Sequence, residues 1–100
     1  MDSIDRTEQL FQKINVEISE FLQIIGGLSK HPDRLSVSRP DALREMQRVL
    51  DSVGQIGGKL FDEAKILQGQ LHLFFDRPSE EMRLKIMQSA LHIKHKVREI

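Results

Sequence analysis

Apolar residues recur at alternating three- and four-residue steps along Leu43, Met46, Leu50 and Val53, then through Gly57 to Leu60, Ala64, Leu67, Leu71 and Phe74. Such a stripe stays on one side of an α-helix, because 3.5 residues nearly matches the 3.6-residue turn. It constrains the chain to helices laid side by side. A glycine pair, Gly57 and Gly58, lies within it. Each glycine weakens a helix by roughly 1 kcal/mol relative to Ala. The stripe nevertheless resumes in phase, so the spacing predicts one helix over 39–75, with a hinge near Gly57 as the alternative. At ~1.5 Å per residue that helix reaches roughly 50 Å. Gly54 and Gly58, one turn apart, are candidates for a flat notch admitting another helix backbone.

A second stripe, Ile4, Phe11, Ile14, Ile18, Phe21, Ile25 and Leu28, flanked by Leu10, Leu22 and Ile24, predicts a helix over 3–29, with Asp2 or Ser3 as its cap. From His31 to Pro40 two prolines and a lack of period predict a loop. Ser38, Pro40 and Asp41 then suit the start of the middle helix. Asp76, Arg77, Pro78 and Ser79 form a second turn. The residues from 79 to 100 carry the stripe Ile86, Ala90, Ile93, Val97 and Ile100, with Leu84, Met87 and Leu91 to one side. The expected architecture is all-α: a single domain forming an elongated antiparallel three-helix bundle or coiled-coil-like hairpin with a long central helix.

One hundred residues without cysteine bury a core but form no disulfide or thiolate metal site. No apolar run approaches the ~18 residues of a membrane span. The N-terminus lacks the basic head and apolar core of a secretory signal, and cytoplasm is the default compartment. The 15 basic and 15 acidic residues balance overall but not locally. Over the first 30 residues Asp2, Asp5, Glu8, Glu17 and Glu20 outnumber Arg6, Lys13 and Lys30. From Asp76 onward Arg77, Arg83, Lys85, Lys94, Lys96 and Arg98 outnumber Asp76, Glu80, Glu81 and Glu99. An acidic first helix and a basic last helix attract each other, within one subunit or between two.

Candidate chemistries fail on pattern. His92 and His95 stand one turn apart, but two imidazoles without a third ligand do not make a metal site, and His31 and His72 stand alone. Gly54, Gly57, Gly58 and Lys59 are a fragment of a phosphate loop, with Val53 in place of its first glycine and Leu60 in place of its Ser or Thr. Glu17 with Glu20, and Asp62 with Glu63, are ordinary on a wet helix face. The sequence predicts no enzyme and no cofactor. Its apolar surface exceeds what three unequal helices cover. Ile66, Leu73, Leu84, Met87 and Leu91 are therefore the expected partner-binding residues of a helical protein-protein interaction module, such as an adaptor, secretion-type chaperone or assembly subunit. That module is expected as a homodimer or bound to a heterologous helical partner. The alternative is a nucleic-acid-binding accessory protein using Arg83, Lys85, Lys94, Lys96 and Arg98 as an anion-binding set, although no Tyr or Trp is present to stack on bases.

Overall fold

Turn chemistry divides the chain into four helices in the computed structural model. They are α1 (Asp2–Gly27), α2 (Leu35–Gly54), α3 (Gly58–Asp76) and α4 (Glu80–Glu99). The structure describes residues 2–28, 33 and 35–99, with side chains from residue 6 onward. The proposed caps Asp2 and Ser3, the Ile4 and Ile100 ends of two stripes, and His31 and Pro32 of the loop lie outside the described side chains.

The all-α expectation holds. The long central helix does not. Gly57 takes a φ of 76° and Gly58 a φ of 65°, a left-handed backbone that a helix cannot continue through and that residues with a Cβ rarely adopt. The end of α2 is closed by the Gln55, Ile56 and Gly57 N–H groups, which donate to the Ser52 and Val53 carbonyls at 2.9–3.2 Å. The unbroken phase across this turn has a different cause. Both arms of a hairpin turn their apolar stripe to one core, so a seven-step spacing from Val53 to Leu60 arises without a continuous helix. The expected notch is absent: a Cβ on Gly54 would meet the Phe61 ring at 3.5 Å, while one on Gly58 would face open space.

The start of α2 also differs from expectation. It begins at Leu35, not near Ser38, which leaves Pro40 inside the helix. Pro40 has no N–H to give the Ser36 carbonyl, a loss tolerated close to the helix start. The start of α4 is as expected: the Met82 N–H donates to Ser79 Oγ at 3.1 Å, and Glu80 and Glu81 occupy the positive end of the helix.

Each helix packs on two neighbours, α1 on α2 and α4, and α3 on α2 and α4, closing a ring in which no diagonal pair of helix backbones comes close among the described residues. Short turns make the neighbours antiparallel. The bundle measures 48 × 20 × 18 Å. Its core draws on all four helices: Ile14, Ile18, Phe21 and Ile25 from α1, Met46, Val49 and Val53 from α2, Leu67 and Leu71 from α3, Ile86 and Ile93 from α4. Among the described residues no helix is long and apolar enough to cross a membrane. The fourth helix arises because the middle segment folds in half, and it covers most of the apolar face that three helices leave open.

Candidate functional site

The outer surface of the α3–α4 hairpin carries most of the exposed large apolar side chains. Ile66 is 63 % exposed, Leu73 59 %, Leu84 47 % and Leu91 41 %. The core stripes of α3 and α4 face inward, so these four residues occupy the outward rows. They do not form one patch. Ile66 lies in a groove of about 280 Å³ between α3 and α4, lined also by Glu63, Gln88, Ser89, His92 and Ile93. Leu73 flanks a recess beside the α3–α4 turn with Asp76, Arg77 and Met82. Leu84 and Leu91 stand on the crest of α4. Met87 is half-buried against the core, its Cε 3.6 Å from where a Gly26 Cβ would be, so it packs into the α1–α4 seam.

The expected basic set is dispersed in the same way. Arg83 is buried, with Nε donating to Glu80 Oε2 at 2.9 Å, a second guanidinium N–H donating to Glu80 Oε1, and a third to Met87 Sδ at 3.1 Å. That hydrogen bonding also holds the Glu80 carboxyl below its ordinary value. Lys94 donates to Ser19 Oγ of α1 at 3.0 Å, and Lys85 lies 3.9 Å from Glu81. Only Lys85, Lys96 and Arg98 of the five remain exposed. The acidic α1 and basic α4 are indeed neighbours, yet the Lys and Arg ion pairs among the described residues all join positions three or four apart on one helix. Across the α1–α4 seam the Lys94 ammonium meets a neutral hydroxyl, Ser19, beside apolar packing such as that of Met87.

One constellation was not legible as such in the sequence. Between α1 and α2, Ser52 Oγ donates to Glu17 Oε1 and Oε2, at 3.0 and 3.1 Å, and both residues are buried. Lys13 Nζ lies 4.0 Å from Glu17. Two turns before Ser52 on α2, Glu45 is also buried, taking a 3.0 Å bond from Arg48 on Oε2 and leaving Oε1 without a partner. Burial pushes both carboxyls above their ordinary value. Ser52, Lys13 and Arg48 oppose this at Glu17 and Glu20 adds to it, while at Glu45 Glu20 adds to it and Arg48 opposes. A hydroxyl held on a carboxylate is half of a nucleophile arrangement. Ser52 is only 1 % exposed, so a substrate does not reach it in this conformation. Glu and Ser are ordinary surface residues in sequence, and only the i, i+7 placement of Glu45 and Ser52 on the α1-facing side of α2 hints at the seam.

Among the described residues no group of three or more His, Asp or Glu side chains is placed to hold a metal ion. His92 Nε2 is 3.5 Å from Glu63 Oε1 across the α3–α4 groove. These features define a four-helix all-α bundle in which four of the six exposed large apolar side chains among the described residues stand on the α3–α4 hairpin. Compared with known proteins, the chain matches no family model, no curated protein and no solved structure.

Proposed function

We propose that this protein is a non-enzymatic helical interaction module that associates through the outer surface of its α3–α4 hairpin, in the manner of a small adaptor, secretion-type chaperone or assembly subunit. The supporting observation is the exposure of Ile66, Leu73, Leu84 and Leu91 on two adjacent helices. An amphipathic helix or a second bundle buries such side chains without any polar site. Met87 supports the seam behind them. The nucleic-acid reading is weaker than the sequence implies, because Arg83 turns inward onto Glu80 and Lys94 is tied to Ser19. A reading of the protein as an acid-base enzyme gains nothing from the buried Ser52.

The test is the solution mass by light scattering behind a sizing column at two concentrations. The expected result is a mass above that of the 11.6 kDa chain, with I66E/L73E/L84E/L91E returning to the single-chain mass. A wild-type chain that stays at the single-chain mass at every concentration overturns self-association.

A further inference from the structure

On α4 the residues Glu81, Leu84, Gln88, Leu91, His95 and Arg98 follow steps of three and four, and all six are exposed. Their outward direction is fixed by what lies on either side. Lys94 and Met87 reach α1, through Ser19 and beside Gly26, whereas Ser89 donates to Gln70 Oε1 of α3 at 3.0 Å and His92 approaches Glu63. The stripe between these flanks points away from the bundle. It is a second heptad seam, parallel to the buried one of Ile86, Ala90, Ile93 and Val97, and none of the described residues covers it.

The charge along this helix is directional. Its first turn carries Glu80 and Glu81, and its last carries Lys96 and Arg98. On the outward stripe itself the acidic end is Glu81 and the basic end is Arg98, which has no ion-pair partner among the described residues. Glu81 has only the exposed Lys85 at 3.9 Å. Such a helix is complementary to a reversed copy of itself.

Resting on the self-association reading above, we infer that the occupant of this seam is a second copy of the chain, its α4 laid antiparallel on the first about a two-fold axis. In that register Glu81 faces Arg98 of the second copy, Leu84 faces His95, Gln88 faces Leu91, and each pair occurs twice. A two-fold interface requires such self-complementarity. Parallel pairing places Glu81 beside Glu81 and Arg98 beside Arg98, and aligns two helix dipoles head to head, so it is disfavoured on both counts. Four leucines, two per copy, form a narrow seam, and the dimer is correspondingly sensitive to concentration.

The chain has no cysteine, which makes introduced thiols specific reporters. E81C and R98C chains, mixed at low concentration under mild oxidation, are expected to give a cross-linked dimer, with neither variant cross-linking alone and with L84E/L91E in the same chains abolishing it. In parallel, E81R is expected to weaken dimerisation about tenfold by turning two attractions into repulsions, and E81R/R98E to restore it. A wild-type dimer with no E81C to R98C cross-link, or one in which E81C links to itself, overturns the antiparallel α4 seam and leaves self-association standing. A wild-type chain that is monomeric throughout overturns both.

Discussion

Ser52 on α2 gives its hydroxyl to both oxygens of the Glu17 carboxylate on α1, and both residues are buried. Beside the apolar packing of the α1–α2 seam, this bond and the buried Glu45 facing Glu20 determine how the bundle responds to mutation and to pH.

Removing the donor leaves a buried carboxylate without its partner. Ser52→Ala is expected to lower stability at neutral pH by about 2 kcal/mol, the penalty for an unsatisfied buried acceptor. Urea unfolding measures it. The loss should shrink at acidic pH, where Glu17 is protonated, and an equal loss at both pH values contradicts a charge origin.

The pH dependence follows from Glu17 and Glu45, whose carboxyls burial raises above the ordinary value of 4.5. The folded state therefore binds protons more tightly than the unfolded chain at these two positions. Their contribution is fully present below the unfolded carboxyl range and is lost as pH rises through the raised folded values. Glu80, lowered by its hydrogen bonds from Arg83, acts in the opposite sense but is exposed. Stability is expected to fall as pH rises above the ordinary carboxyl value of 4.5, and Glu17→Gln with Glu45→Gln to flatten that fall. Urea midpoints across this range check it; an unchanged slope in the double variant removes these two groups as the cause.

Two glycines in one hairpin are expected to respond oppositely to the same substitution. Gly58→Ala forces a Cβ onto a φ of 65° and should cost about 1–2 kcal/mol. Gly69→Ala, within α3 and with open space around its Cβ, should gain up to ~1 kcal/mol from helix propensity. Thermal unfolding of the two variants tests the turn directly. Stabilisation by Gly58→Ala would restore the continuous helix that the stripe suggests.

Much of the core was readable from spacing. Ile14, Ile18, Phe21 and Ile25, the run from Leu60 to Phe74, and Ile86, Ala90, Ile93 and Val97 all stand where their stripes place them. Ser79 caps α4 as its hydroxyl and the following acids imply. Spacing misled at Gly57, because heptad phase records which residues face a core and carries no sign of whether the chain reverses between them. The candidate surface was partly readable. Ile66, Leu73, Leu84 and Leu91 are exposed as their off-stripe positions require, while Met87 and Arg83, on the same helix and similar in sequence context, turn into the bundle.

Residue spacing alone shows that the chain is helical and which side of each helix turns inward, since both depend on short-range periodicity and capping. It also determined where the last turn lies. The tertiary structure alone decided that the glycine pair reverses the chain, that α1 lies between α2 and α4, and that Glu17, Glu45, Ser52 and Arg83 leave the surface. Those outcomes depend on which helices become neighbours: Glu17 is buried where Ser52 of another helix comes within hydrogen-bond distance, whereas Glu45 and Arg83 are covered while keeping Arg48 and Glu80, partners on their own helices.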